Sequence, residues 1–191
     1  IIKRDKSKLE KSRSTKTQII TEMEVLIKKL YTDKEAMKKR EAELARIRAE
    51  QNRATTGNFA KMKGRLPWPV QGQIIRKFGI SRNPETGVVI ENVGIDINAK
   101  SGTPVKSVLD GVVSTITYIR GHGNLIIIDH GGGFSTVYAQ IDDISVHENE
   151  YVQKGSTIAT VVNPENNNPE ILHFEVWGNQ QKLNPQIWLI H

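Results

Sequence analysis

Residues 111–119 read Gly-Val-Val-Ser-Thr-Ile-Thr-Tyr-Ile, and residues 124–128 read Asn-Leu-Ile-Ile-Ile. These β-type runs are bounded by glycine, and further short runs of the same kind recur between residues 73 and 177. Because no helical periodicity separates the runs, the pattern predicts an all-β barrel or sandwich rather than βαβ units. The roughly 125 residues of this region suffice for one hydrophobic core.

Charged residues are distributed unevenly along the chain of 191 residues. Its formal net charge is +6, yet residues 1–65 hold 19 basic and 9 acidic side chains, whereas residues 66–191 hold 8 basic and 12 acidic ones. Few aromatic residues interleave the basic ones, so nucleic acid is not expected as a partner. The absence of cysteine excludes disulfides, thiolate zinc sites and cysteine nucleophiles.

The first 58 residues predict a helical arm, because glycine and proline are absent from Ile1 to Thr56 and good helix formers dominate. Apolar residues at every seventh position predict a coiled coil, and Lys16 is the one residue of this stripe that is not apolar. The polar residues 12–17 favour a turn or a helix restart, so one long helix and a hairpin both remain open. We therefore predict a coiled-coil arm at 1–58, a linker at 59–69 and a β domain at 70–191. The stripe consists of Ile2, Leu9, Lys16, Met23, Leu30, Met37 and Leu44.

Several motifs in residues 66–191 follow one another in the order found in the LytM or lysostaphin-type zinc peptidases, and this region resembles that family. The resemblance implies the family's all-β fold. The motifs are Asn92-Val93-Gly94-Ile95-Asp96, Gly102-Thr103-Pro104-Val105, Gly123-Asn124-Leu125-Ile126-Ile127-Ile128-Asp129-His130-Gly131, Tyr138-Ala139-Gln140, Leu172-His173-Phe174-Glu175-Val176-Trp177 and Leu183-Asn184-Pro185.

The resemblance also implies where zinc chemistry would lie. Active members hold zinc through the His and Asp of H-x-x-x-D and the second His of H-x-H, and these positions here are Asn92, Asp96 and His173. Two further histidines assist the attacking water, and their positions are Gln140 and Ile171. An Asn amide is a weak substitute for imidazole, and neither Gln140 nor Ile171 can accept a proton. We therefore expect a non-enzymatic domain with no catalytic residue, no cofactor and only vestigial metal-ligand positions.

The other histidines are not expected to join this site. We expect His130 to form a structural hydrogen bond at the end of a strand, and we expect His122 to lie in an exposed loop. His147 lies in an acidic loop and His191 is terminal. On spacing alone, none is expected to reach Asp96 or His173.

A coiled-coil arm followed by a degenerate domain of this family resembles the EnvC-type murein hydrolase activators. The resemblance implies an extracytoplasmic, periplasmic activator in cell division and cell-wall remodelling, which binds a peptidoglycan amidase and relieves its autoinhibition. A membrane division complex, contacted through the arm, and peptidoglycan are further candidate partners. The predicted docking groove comprises Asn92, Asp96, Tyr138, Gln140, Ile171, His173 and Glu175.

Two alternatives remain open from the sequence. One is a zinc metalloendopeptidase acting on peptidoglycan cross-links, with Asp96, His173 and an unexpected third ligand. The other is a murein-binding scaffold that activates nothing. The chain begins without Met and without an apolar signal segment, so we expect it to be a piece of a longer protein whose signal lies elsewhere.

Overall fold

The computed structural model describes residues 2–32, 38–39, 42–43, 45–47, 59–82, 87–162 and 170–190. One long helix, α1 (Ile2–Thr32), precedes the strands, and 3-10 helices occupy Phe59–Met62 and Pro185–Ile187. The strands are β1 (Gln73–Arg76), β2 (Gly79–Arg82), β3 (Val89–Asn92), β4 (Ile95–Asn98), β5 (Pro104–Lys106), β6 (Gly111–Ile119), β7 (Gly123–Gly131), β8 (Phe134–Asp142), β9 (Tyr151–Val152), β10 (Thr157–Val161), β11 (Ile171–Gly178) and β12 (Gln181–Leu183).

The strands form an antiparallel sheet with the order β1-β4-β11-β8-β7-β6-β9. Strand β10 pairs with β8 and β5, and β12 pairs with β11. Strands β2 and β3 form a separate hairpin that leads into β4. The all-β prediction for this part of the chain is thereby confirmed.

Strand β11 is buried on both of its faces, since all eight of its residues are buried and successive side chains point to opposite sides of the sheet. On β11, Leu172 and Phe174 belong to the main core, whereas His173 and Glu175 point to the opposite face. Strand β11 therefore directs apolar side chains to one face of the sheet and the ionisable side chains of His173 and Glu175 to the other. Other residues of the main core include Ile95, Ile97, Ile126, Ile128, Tyr138 and Val176.

Helix α1 covers the second face of the sheet. Ile19, Met23 and Ile27 are each 2–3% exposed and lie on one side of the helix, at intervals of four residues. A Cβ atom on Gly121 would lie 2.9 Å from the Ile19 side chain, so the helix packs directly on this glycine. Burial of three such side chains contributes roughly 1.5–3 kcal/mol each. We name the contact the helix-covered cluster; its sheet residues are Ile119, Leu125, Ile127, Val137, Ala139 and Trp177.

The polar stretch at residues 12–17 does not interrupt α1, so of the two arrangements left open by the sequence, residues 2–32 adopt the single helix. The Thr17 hydroxyl donates to the Arg13 carbonyl, and the Thr21 hydroxyl donates to the Thr17 carbonyl, each at 2.9 Å. These side chains bond within the helix instead of competing with it. Over residues 2–32 the arm is one helix. The rest of the predicted arm lies largely outside the described residues, and the coiled coil stays a prediction.

Residues 59–69, which the sequence predicts as a linker, pack against the core of the β domain. Phe59 and Leu66 are fully buried, and the Phe59 ring stacks on Phe134 with centroids 5.0 Å apart. The Leu66 amide donates to the Trp188 carbonyl at 3.0 Å, and the Ile190 amide donates to the Leu66 carbonyl at 2.9 Å. Apolar side chains spaced among lysines thus anchor residues 59–69 to the core.

Candidate functional site

A cavity of about 230 Å³ lies between α1 and the sheet. We name it the covered groove, since α1 forms one of its walls. Four of the seven predicted groove residues line it: Asn92, Asp96, Gln140 and His173. The remaining lining residues are Thr15, Lys16, Ile19 and Ile20 of α1 together with Arg76, Glu91, Val93, Gly121 and His122.

A row of buried polar side chains crosses the floor of the covered groove. The register of β4 and β11 places His173 directly opposite Asp96. His173 Nδ1 lies 2.5 Å from Asp96 Oδ1, and its Nε2 lies 2.9 Å from Glu175 Oε1. Trp177 Nε1 donates to Glu175 Oε2 at 2.5 Å. With a carboxylate at each ring nitrogen, His173 is held as an imidazolium that donates twice.

Hydrogen bonding outweighs burial in setting the charge of this row. Burial by itself would lower the pKa of His173, but the bonds to Asp96 and Glu175 raise it from 6.5 to about 9. Burial would likewise raise the pKa of Asp96, yet the bond to His173, with the charges of His173, Arg76 and Lys16, lowers it. At neutral pH the pair is therefore ionised.

Two further cations approach the Asp96 carboxylate. The Arg76 guanidinium from β1 forms an ion pair with Asp96 Oδ2. Lys16 of α1 lies within electrostatic reach of the same group: burial and the Arg76 charge lower the pKa of Lys16, and the Asp96 charge opposes them. The lapse in the heptad stripe is thus the position at which α1 directs an ammonium group toward the groove.

The ligand set implied by the family resemblance does not fit a metal ion in this structure. Asp96 Oδ1 accepts from His173 Nδ1, and Asp96 Oδ2 pairs with Arg76. The third position, Asn92, directs its amide nitrogen to the Arg76 carbonyl at 3.5 Å. The Arg76 cation pairs directly with the carboxylate that a metal would need, and the third residue, Asn92, is a poor ligand.

His122 lies at this site: it is in a turn, as predicted, but its side chain is half-buried and not exposed. Its amide donates to the Ile119 carbonyl at 2.9 Å in the turn between β6 and β7, and its ring meets the His173 ring edge-on, with centroids 4.7 Å apart. The flanking Gly121 and Gly123 have φ values of +84° and +72°, which a side chain would disfavour. Long-range folding of a Gly-His-Gly turn brings the ring here, so spacing along the chain gave no signal.

Burial keeps the His122 imidazole neutral, because it lowers the pKa from 6.5 to about 3, helped by the His173 charge. The Nε2 atom is buried and has no hydrogen-bond partner among the described residues. A neutral ring nitrogen thus faces the groove beside a charged imidazolium.

Gln140 enters the groove at an irregularity in the sheet. The register of β7 and β8 shifts between Asn124 and Leu125, which pair with Ile141 and Ala139, so Gln140 is the extra residue. Its φ of +62° and the bond from its amide to the His122 carbonyl, at 3.1 Å, fix this bulge. The bulge turns residue 140 toward His122.

Comparison with known proteins assigns the domain. Residues 91–185 match the sequence model of Peptidase family M23. These residues form an M23 (LytM) domain. The murein hydrolase activator EnvC of Escherichia coli K12 is 28% identical over 134 residues, 70% of this chain and 31% of that protein. The murein hydrolase activator NlpD of Salmonella dublin is 35% identical over 141 residues, 73% of this chain and 35% of that protein. The chain thus spans about a third of these relatives.

Solved structures support the same assignment for the M23 domain. A zinc-containing peptidase from Vibrio cholerae superimposes with a TM-score of 0.57 at 28% identity, over 65% of this chain and 40% of that one. A putative M23 peptidase from Pseudomonas aeruginosa gives 0.56 at 26% identity, over 80% and 61%. Among the described residues, no helix is both long and apolar enough to cross a membrane.

Three predicted groove residues do not line the cavity of the M23 domain. Tyr138 is fully buried in the main core, where its hydroxyl accepts from the Val108 amide at 3.1 Å, because strand alternation turns it away from Ala139 and the helix-covered cluster. Ile171 is 3% exposed at the start of β11. Glu175 is fully buried and reaches the groove only through His173.

Two other histidines of the M23 domain lie away from the groove. His130 Nδ1 lies 2.8 Å from the Asp110 carbonyl, and its Nε2 lies 2.8 Å from the Thr136 hydroxyl, which confirms the expected structural bonding. His147 is exposed beside Glu150. His191 lies outside the described residues.

Proposed function

We propose that this chain is a non-enzymatic activator of a peptidoglycan amidase, which it binds through the covered groove of its M23 domain. One observation carries the proposal: the Asp96 carboxylate is balanced by the Arg76 and His173 cations of the protein itself. Groups of the protein itself therefore neutralise the negative charge at this site. Gln140 and Ile171, at the positions of the family's catalytic histidines, supply no general base.

The named relatives support this proposal. EnvC and NlpD are murein hydrolase activators, and DipM of Caulobacter vibrioides, 34% identical over 119 residues, is a cell division protein. By analogy, the chain acts outside the cytoplasm, in the periplasm, during cell division. The segment before the M23 domain is proposed to contact a membrane division complex, and peptidoglycan is a further proposed partner.

The position of α1 adds a condition to this proposal. Lys16 and Ile19 form part of the groove wall, so a partner that occupies the groove competes with α1. The docked helix is accordingly the inactive state, and the chain stimulates the amidase once α1 has left the sheet. The free energy of α1 docking is then the barrier that an activating signal must overcome.

The test measures release of dye-labelled fragments from peptidoglycan by the amidases of the source organism, with and without the purified chain. We expect stimulation by the parent chain and stronger stimulation by Ile19→Asp, which places a charge in the helix-covered cluster. Val25→Asp is the matched control, because Val25 lies on the same helix but is 58% exposed. Asn92→Trp, which fills the groove, should abolish the stimulation.

Other results would contradict the proposal in distinct ways. Absence of stimulation by both the parent and Ile19→Asp would rule out the activator. Release of peptide fragments without any amidase would indicate the endopeptidase instead. Sedimentation of the chain with peptidoglycan, again without stimulation, would indicate a murein-binding scaffold.

A further inference from the structure

His122, His173 and Glu175 form a second constellation around the His173 ring. Each offers one metal-ligating atom, and these three atoms lie within 4.8 Å of one another. His173 and Glu175 are almost fully buried, and His122 is partly covered. Two imidazoles and one carboxylate are a ligand set that Zn²⁺ uses in proteins, with a fourth position left for water.

The His122 nitrogen supplies the first argument for a ligand here. Its Nε2 is buried with no hydrogen-bond partner among the residues that the structure describes. A buried polar atom without a partner loses its hydration and gains nothing in return, so it is costly to leave unsatisfied. The lone pair of a neutral imidazole nitrogen is a donor that transition-metal ions bind well.

The partners of the other two ligands supply the second argument. Asp96 accepts the Nδ1–H of His173 at 2.5 Å, which orients the ring and leaves Nε2 as the ligating atom. Trp177 donates to Glu175 Oε2 at 2.5 Å, which leaves Oε1 as the ligating atom. Carboxylate-to-histidine bonds of this kind orient ligands at many zinc sites. The hydrogen bonds that would orient these two ligands around a metal ion are therefore already present.

We propose that His122 Nε2, His173 Nε2 and Glu175 Oε1 bind one divalent transition-metal ion, for which Zn²⁺ is the best match. The ion takes the place of the proton that His173 Nε2 now donates to Glu175, and that proton passes to solvent. The proposed centre uses the opposite side of the His173 ring from the one that faces Asp96. Without a base at Gln140 or Ile171, the site binds a metal but does not perform hydrolysis.

Nearby cations limit the affinity of this centre. Arg76 and Lys16 both interact electrostatically with His173 or its partner Asp96, and their charges repel a divalent ion. Because Lys16 lies on α1, metal binding and helix docking oppose each other. Removal of the Lys16 charge should therefore strengthen metal binding without changing any ligand.

The test titrates the chelator-treated full chain with Zn²⁺ alone by calorimetry, and with Co²⁺ by visible absorption. We expect one equivalent of metal and a tetrahedral Co²⁺ spectrum. His122→Ala and Glu175→Gln should each weaken binding at least about tenfold, as loss of a ligand or its support does. Lys16→Met should tighten binding several-fold, and Asn92→Ala, the matched control from the same cavity, should leave it unchanged.

Several results would overturn the proposal. These are the absence of stoichiometric binding by the parent chain, parent-like affinity of His122→Ala, or loss of binding in Asn92→Ala. Circular dichroism verifies that each variant folds; if the buried Glu175→Gln does not, His122→Ala decides alone, because its side chain lies in a turn. The measurement is independent of amidase stimulation, so this proposal and the proposed function fail separately.

Discussion

The Glu24 carboxylate of α1 forms an ion pair with the Lys182 ammonium of β12, although the two residues are 158 positions apart. Lys182 also lies 6.0 Å from the centroid of the Trp177 ring. The pair is partly exposed, with 32% and 20% of the two side chains accessible. It ties α1 to the sheet two turns beyond the Lys16 position that lines the groove.

Breaking this ion pair should loosen the helix. Lys182→Glu places two carboxylates together and removes the cation above Trp177, so we expect a loss of about 0.5–1 kcal/mol in α1 docking. Hydrogen exchange of α1 amides, followed by mass spectrometry, measures the change. The double variant Glu24→Lys with Lys182→Glu should recover most of the protection; failure to recover would show that the pair is not the cause.

A charge in the helix-covered cluster should release α1 altogether. In Ile19→Asp a buried carboxylate faces Gly121 and the sheet, and we expect a loss of roughly 3 kcal/mol or more in docking. Limited proteolysis within α1 should become fast while the β domain stays resistant. The exposed Val25→Asp is the control, and equal cleavage rates for the two variants would contradict the docked arrangement.

Tyr138→Phe should destabilise the domain without affecting the groove. The substitution removes the acceptor of the Val108 amide and the partner of the Thr136 hydroxyl, so we expect a loss of about 1–3 kcal/mol in the free energy of unfolding. Urea unfolding measures it, with Tyr118→Phe as the control because Tyr118 is 65% exposed. Amidase stimulation by folded Tyr138→Phe should equal that of the parent, and a selective loss would place Tyr138 in the docking surface.

The metal-free chain should lose stability on the alkaline side. The pKa of His173 is raised from 6.5 to about 9, so folding gains from its protonation below pH 6.5 and loses this gain as pH rises through about 9. The expected loss is on the order of 3 kcal/mol. Urea unfolding between pH 6 and pH 10 tests this, and unchanged stability over that range would contradict it.

Other groups around the imidazolium must be separated from this effect. Asp96, whose pKa is lowered, stays ionised over this range. Lys16 opposes the trend, because a lowered pKa favours folding as the pH rises. Lys16→Met should therefore steepen the alkaline loss. His122, whose pKa is lowered to about 3, acts on the acid side, where stability is lost as the pH falls below 6.5.

Local patterns in the sequence predict the strands and half of the site. Glycine-bounded β runs such as residues 124–128 are recognisable because each strand carries its own alternation and its own turns. Asp96 and His173 are identified by motif position, and the structure brings them together through strand pairing. The position of Tyr138 in the main core could in principle have been predicted, because its neighbour Ala139 faces the opposite side of β8.

The contributions of His122 and Lys16 could not be predicted in the same way. His122 reaches the site through a turn whose geometry depends on Gly121 packing against α1, a contact between distant parts of the chain. Lys16 breaks a heptad stripe, but the helix buries residues at intervals of four against its own domain. Both positions depend on how α1 and the sheet meet, which no local pattern encodes.

The burial of Trp177 gives the molecule an optical reporter. This indole is 4% exposed beneath α1, whereas Trp188 is buried in the main core and Trp68 lies near Ile190. Departure of the helix hydrates one of three tryptophans and leaves the other two in place. The wavelength of intrinsic fluorescence should therefore shift to the red as α1 leaves, so the opening of the groove can be followed in real time without a label.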